Sequence, residues 1–291
     1  MKIPFYKYQG TGNDFVMIDQ RNQQYLKISD TAIINHLCDR RFGIGADGLI
    51  LLENPDVPNS GIDFKMVYFN ADGSESSMCG NGGRCLTAFA HFLGVFKEKC
   101  CFMAIDGEHE ATINADNWVE LKMIDVKNIE IGNDYFLMNT GSPHYVVFTE
   151  DLTDIDVYEN GRAIRYSERF HTEGVNVNFV EILSSPSRGR GEGIEVATYE
   201  RGVEAETYSC GTGVTAAAIA YYLKNHAATR VPIKTKGGLL EVHFEANTEG
   251  VFQNVWLCGP ALQVFNGEVE VSVSINIETD ALLKTDTQLV R

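Results

Sequence analysis

Two of the seven cysteines share one local setting, Cys79-Gly80-Asn81-Gly82 and Cys210-Gly211-Thr212-Gly213. Each precedes a stretch with helical apolar spacing: Leu86, Phe89, Ala90 and Leu93 in one, and Val214, Ala217, Ala218, Tyr221 and Tyr222 in the other. A cysteine there meets the free N–H groups and partial positive charge of a helix start. The setting predicts thiols biased toward thiolate, below their ordinary pKa of about 8.5. The glycines let an anion come close to the backbone N–H groups. One loop thus offers a base and half of a carboxylate clamp. Two facing loops offer a base on each side of one carbon, which is what inversion α to a carboxylate requires. A thiolate removes the proton from one face, a thiol delivers one to the other, and the helix starts stabilise the enediolate charge between them.

Cys38, Cys85, Cys100, Cys101 and Cys258 have neither a glycine context nor a repeat partner, so they read as core or surface thiols. No pair has the C-x-x-C spacing of a zinc or redox centre, and no metal is expected. A different class of function remains open for Cys79 and Cys210, a regulatory disulfide in a non-catalytic thiol sensor. Turnover in the reduced state separates the two.

The elements that must position these thiols come as a repeat. Gly12-Asn13-Asp14-Phe15-Val16 returns in outline as Gly141-Ser142-Pro143-His144-Tyr145-Val146. Gly43-Ile44 matches Gly174-Val175, and Val67-Tyr68-Phe69 matches Ala197-Thr198-Tyr199. The offset between the cysteines is 210 − 79 = 131, close to that of the other matches. Segments 62–68 and 194–199 partly alternate as strands do, and 108–123 and 238–257 read as hairpins with turns at 114–117 and 247–250. The expected fold is α+β, with two similar domains, each a mostly antiparallel or mixed sheet wrapped around a central helix. The active site is expected in the cleft between them. Helical segments are too few for a parallel βαβ arrangement. Apolar periodicity fades over 125–133, so the expected division is residues 1–127 plus about 263–291 against 128–262. The alternating run 268–275 is expected to close a sheet, back in the first domain.

A formal charge of −16 excludes nucleic acid and anionic membrane surfaces as partners, since both require basic patches. The opening residues lack an apolar core for a secretory leader, and no run reaches the roughly 20 apolar residues of a membrane span. A cytoplasmic enzyme acting on a small amino acid is the expectation.

The two cysteine motifs, with 10–15, 42–47, 69–74, 176–179, 199–202 and 259–261 in the same order, make the chain similar to the diaminopimelate epimerase family. The resemblance spans 10–261. It implies interconversion of LL- and meso-2,6-diaminopimelate without pyridoxal phosphate, metal or other cofactor, in lysine and peptidoglycan precursor synthesis. It implies an epimerase fold, usually as a homodimer, with Cys79 and Cys210 as the acid/base pair. Gly80, Asn81, Gly211 and Thr212 would hold the reacting carboxylate. Asn13, Asn70 and Asn176 would hydrogen-bond the far end, with Arg201 on the distal carboxylate and Glu200 on an ammonium. Read without the family, the three asparagines could be turn residues, and Glu200-Arg201 a solvated pair. His144 stands between site wall and ordinary packing. Gly48 and Ser142 depart from the Gln and Asn common in the family, which bears on specificity. A proline racemase or hydroxyproline epimerase is the alternative with the same two-thiol chemistry, but Glu200-Arg201 suits a longer substrate with a charged far end.

Overall fold

The computed structural model describes residues 1–183, 193–226 and 228–271. The first half runs β1 (Lys2–Gly10), β2 (Asn13–Asp19), α1 (Thr31–Cys38), β3 (Gly48–Glu53), β4 (Phe64–Asn70), β5 (Glu75–Ser76), α2 (Gly80–Phe92), β6 (Lys99–Ala104), β7 (Gly107–Ile113) and β8 (Trp118–Lys122). After the short β9 (Glu130–Ile131), the second half repeats this order. Its elements are β10 (Tyr135–Asn139), β11 (Pro143–Thr149), α3 (Val157–Arg165), β12 (Asn176–Leu183), β13 (Gly193–Glu200), β14 (Ala205–Thr207), α4 (Gly211–Asn225), β15 (Arg230–Thr235), β16 (Gly238–Ala246) and β17 (Phe252–Pro260). A final strand, β18 (Leu262–Glu270), returns to pair antiparallel with β1. The expected alternating run begins within β18, and its residues 272–275 lie outside the described residues.

The pairings repeat as well. Each half joins its first two strands in a hairpin, β1–β2 and β10–β11. Each also contains two parallel pairs, β2–β3 and β4–β6 in the first and β11–β12 and β13–β15 in the second. The sheets are therefore mixed, and βαβ crossovers are present despite the small helix content. Sequence periodicity hid the β2–β3 and β11–β12 crossovers because α1 and α3 span only 8 and 9 residues. The remaining pairs are antiparallel, including the hairpins β7–β8 and β16–β17 where turn-rich segments predicted them. Asn117 and Gly250 take the positive φ that those turns need.

Why α2 and α4 lie at the centre follows from their sequences. Gly, Ala and Thr leave no thick polar face, so both helices are buried over their first ten or so positions, Gly80–Ala90 and Gly211–Tyr221, except Thr212. One apolar cluster joins both, with Phe15, Phe64 and Phe89 on one side and Ile194, Ile233 and Phe252 on the other. Separate smaller clusters pack α1 and α3 on the outer faces of their sheets.

The halves meet along β8–β17. Leu121 lies opposite Ala111, and Leu257 opposite Val242. Since 242 − 111 = 131, the two leucines hold equivalent places, and they also pair with each other. The local two-fold relation therefore passes between them. Directly above, the first residues of α2 and α4 touch. A Cβ built on Gly80 would stand 2.9 Å from Leu257 Cδ2 and 3.5 Å from Gly211 Cα. One built on Gly211 would stand 2.8 Å from the same methyl and 3.3 Å from Gly80 Cα.

Leu257 is fully buried beneath both helix starts. Truncation by Leu257→Ala should destabilise the protein by about 2–5 kcal/mol, the usual range for buried leucines. Urea unfolding measures this, and a loss under about 1 kcal/mol would show that the helix starts do not depend on this side chain.

Candidate active site

Cys79 and Cys210 are the N-cap residues of α2 and α4, both with extended backbone. The first intrahelical bonds run from Gly83 N to Cys79 O and from Val214 N to Cys210 O. The N–H groups before them stay free of the helix ladder. Those of Asn81 and Gly82 favour the Cys79 thiolate, and that of Gly213 favours Cys210. The expected bias toward thiolate is nevertheless not what the site shows. Burial pushes both thiols above their ordinary range, and the Glu200 carboxylate pushes further the same way. Desolvation of the anion outweighs the helix-terminus effect, which contributes only about 0.3–1 kcal/mol at an exposed terminus and up to about 2 when partly buried.

The structure adds a buried cation that sequence reasoning missed. Arg84 of α2 is fully buried. It donates to Thr11 Oγ1 (3.1 Å), Asn81 Oδ1 (3.0 Å) and Gly80 O (3.4 Å), with no carboxylate among these partners. Its Nε has no hydrogen-bond partner among the described residues. Its charge acts on Cys79 in the direction that favours thiolate. A lone Arg between Gly83 and Cys85 on an apolar helix was the available signal.

On the Cys79 side, Asn13 is the organiser. Its Nδ2 donates to Asp47 Oδ2 at 2.7 Å, and Asp47 is gripped by Arg40 at 2.6 Å. That fixes the amide so that Oδ1 accepts from Cys79 Sγ at 3.7 Å and from Asn81 Nδ2 at 3.4 Å. Asn81 also donates to Ser209 O at 2.9 Å, which ties the Cys79 loop to the residue before Cys210. Its side chain is buried and used within the protein, so only its backbone is left for a ligand.

On the Cys210 side a polar network takes over. Cys210 Sγ lies 3.5 Å from Thr212 Oγ1, which lies 2.9 Å from His144 Nε2. Ser142 Oγ is 3.0 Å from the same nitrogen and accepts from Asn176 Nδ2 at 2.9 Å. Asn176 Oδ1 accepts from Arg201 N at 2.8 Å. Asn178 Nδ2 donates to Tyr145 O (3.2 Å) and faces His144 Nδ1 (3.1 Å), while Asn178 Oδ1 accepts from Thr198 Oγ1 (3.0 Å). These partners assign Nδ1 as acceptor and Nε2 as the protonated nitrogen. A donor chain then runs from His144 through Thr212 to the Cys210 sulfur.

The two sides are unequal in a way the strand pairings make explicit. Phe15, Gly48, Ile50 and Tyr68 of the first half occupy the places of His144, Asn176, Asn178 and Thr198 of the second. Accordingly Gly82 faces Ile50, Met66 and Phe15, whereas Gly213 faces Asn178 and Thr198. Gly48 is required where it stands, because a Cβ there would come 2.5 Å from Phe69 O and 2.7 Å from the Tyr68 ring. Tyr68, also missed from sequence, makes no side-chain hydrogen bond among the described residues. Its hydroxyl pKa is raised by burial and then by the charges of Cys79, Asp47 and Glu200, which places it on the Cys79 side. Asn178 was detectable, since Asn176 and Asn178 lie two apart on one strand and share a face.

Asn70 ends β4 opposite Gly48, on the same face as Tyr68, and its amide makes no hydrogen bond among the described residues. Glu200 ends β13, its carboxyl raised by burial and by Asp47. Arg201 is exposed, and its Nη1 donates to Glu173 O at 2.8 Å.

Burial, followed by the Arg201 charge, pushes the His144 pKa down to about 3. Because the folded value lies below the unfolded one, protonation favours unfolding. The contribution of His144 to stability is complete above about pH 6.5 and is lost as pH falls toward 3. Nitrogen-15 NMR should show an unprotonated Nδ1 and a protonated Nε2 from pH 5 to 8, a range that follows from the ordinary histidine value of about 6.5. Titration within that range would contradict the assigned hydrogen bonds.

A family model described as diaminopimelate epimerase matches residues 5–128 and 136–260, one match on each half. A diaminopimelate epimerase from Flavobacterium psychrophilum is 51% identical over 264 residues, covering 90% of this chain and 98% of that protein. One from Aquifex aeolicus is 39% identical over 289 residues, covering 93% and 99%. Among solved structures, a phenazine biosynthesis protein of the PhzF family from Bacillus anthracis superposes with a TM-score of 0.73 at 13% identity, covering 93% of this chain and 100% of that one. A probable proline racemase from Agrobacterium radiobacter K84 does so with 0.66 at 16%, covering 94% and 93%. At such identities these two speak for the fold alone, two repeated sheet-rich domains. The sequence matches go further: the chain belongs to the diaminopimelate epimerase family.

Proposed function

We propose that this protein interconverts LL- and meso-2,6-diaminopimelate by cofactor-independent proton transfer between Cys79 and Cys210, in lysine and peptidoglycan precursor synthesis. The observation that carries this reading is the contact of Gly80 with Gly211, which sets the two cysteine-capped helix starts against each other. A carboxylate at that junction receives N–H groups from both helices, and its α-carbon lies between the sulfurs. One cysteine, as thiolate, takes the α-proton, and the other, as thiol, supplies a proton to the opposite face. The reverse reaction exchanges their roles.

The raised thiol values fit this use. Glu200 raises both cysteines, so an ammonium beside it cancels that effect and brings one thiol toward ionisation when substrate enters. Arg84 and the helix starts then hold the enediolate charge. The His144–Thr212 chain donates toward Cys210, while Cys79 donates toward Asn13. This polarity favours Cys210 as the thiol that ionises once an ammonium offsets Glu200. Arg201, with its remaining guanidinium donors, takes the distal carboxylate, and Asn70 and Tyr68 line the far end. Asn176 acts by holding Ser142 and the Arg201 backbone in place.

The reading includes a division into residues 1–127 plus about 263–291 and 128–262, supported by the return of β18 to β1. It includes a homodimer, supported by β18, whose described register is with β1 and which exposes Leu262, Val264 and Phe265. It also places the protein in the cytoplasm, where its seven unpaired cysteines would stay reduced. No helix among the described residues is long and apolar enough to cross a membrane.

Conversion of LL- to meso-diaminopimelate by the reduced protein tests the proposal, and its absence would overturn it. Cys79→Ser and Cys210→Ser should each lower kcat by at least about 100-fold while staying folded, the lower end of acid–base contributions. Near-normal turnover in either would remove that thiol from the reaction. Arg201→Ala should raise KM roughly 10-fold or more, as expected for a lost charged hydrogen bond. An unchanged KM would take Arg201 out of the site.

A further inference from the structure

Three donors of different kinds converge on the outer side of the seam that joins the halves. Glu120 of β8 lies opposite Cys258 of β17, and His243 of the neighbouring β16 lies opposite Trp256. Their strand neighbours Leu121, Val242 and Leu257 are fully or almost fully buried beneath the sheet, so strand alternation turns these three to the other face, away from Cys79 and Cys210. The carboxylate oxygen, imidazole nitrogen and thiol sulfur all lie within 4.8 Å of one another. Glu120 Oε2 and His243 Nε2 are 3.8 Å apart. Metal bonds of roughly 2.0–2.3 Å in a tetrahedral site put ligand atoms roughly 3.3–3.8 Å apart. The set therefore needs side-chain adjustments of about an ångström to close on one ion.

Beyond the Glu120–His243 contact, these donor atoms have little other use among the described residues. His243 Nε2 is buried with no hydrogen-bond partner among the described residues. A buried, unpartnered ring nitrogen is costly unless something takes its lone pair. Cys258 is fully buried, and its sulfur has one weak contact, to Trp256 O at 3.8 Å. The side chains of Glu120 and His243 are 34% and 23% exposed, which leaves an entry path. His243 stacks on Trp256, with ring centroids 6.3 Å apart, so its orientation is held.

We propose that Glu120, His243 and Cys258 form a binding site for a divalent metal ion of the zinc type, with water in the fourth position. Thiolate and imidazole together select zinc or cobalt over magnesium or calcium. Binding breaks the Cys258 S–H bond, releases that proton to solvent and forms a metal–sulfur bond, with no change of oxidation state. The ion links β8 of the first half to β16 and β17 of the second. The site therefore stabilises the seam and takes no part in proton transfer at the cleft.

Cobalt(II) titration of the reduced, metal-stripped full chain is the test. One equivalent should produce a thiolate-to-cobalt charge-transfer band and the visible bands of a tetrahedral ion. Cys258→Ser should abolish the charge-transfer band. His243→Gln should weaken binding by at least about tenfold, the scale set by even outer-shell changes. Zinc should raise the melting temperature of the natural chain and leave that of His243→Gln unmoved, with circular dichroism confirming that both variants fold without metal. A cobalt spectrum unchanged by Cys258→Ser would assign the thiolate to another cysteine and overturn the proposal. So would a natural chain that gives no cobalt–thiolate band.

Discussion

Everything in the cleft depends on two helix starts being allowed to touch. Gly80 and Gly211 meet over Leu257, and neither could carry a side chain without driving the helices apart or displacing that leucine. The contact sits where the repeat's two-fold relation passes between Leu121 and Leu257, so the same packing that closes the core also faces the two N-cap cysteines toward one place. A glycine after the cysteine suggests an anion site when read from sequence. In the structure its first role is helix-to-helix approach, and access for a carboxylate follows from the same absence of a side chain.

Within this near-symmetric frame the two thiols have different surroundings. Cys210 backs onto His144, Asn178 and Thr198, while the equivalent places behind Cys79 hold Phe15, Ile50 and Tyr68. Burial raises both thiols, and the helix-terminus contribution is too small to reverse that. Under the proposed mechanism the thiols stay protonated until a cation offsets Glu200, with Arg84 as the fixed positive charge beneath. Ionisation coupled to substrate entry in this way would also protect buried cysteines from oxidation, because the thiolate is the reactive form.

Much of this was legible in the residues. The repeat, the central helices, the hairpins and the equivalent places of Cys79 and Cys210 at two helix starts all follow from spacing, because glycine, small residues and alternation leave strong local marks. The parallel pairs β2–β3 and β11–β12 did not, since α1 and α3 are too short to register as crossovers. Arg84 escaped notice because a single arginine in a helix is ordinarily solvated, and only tertiary packing shows this one buried without a carboxylate partner. The thiol shift was misjudged because desolvation depends on depth, which sequence does not carry, whereas the helix start is visible in the motif. Asn81 was expected to hold substrate, but its side chain ties the two cysteine loops together.

The central claim is that two thiols address opposite faces of one carbon. Its most direct test is the distribution of solvent deuterium early in the conversion of LL-diaminopimelate in deuterated water. A two-base site predicts deuterium at the inverted carbon of the meso product, with protium retained in the unreacted LL isomer. Equal labelling of both isomers, or protium carried over into the product, would contradict it.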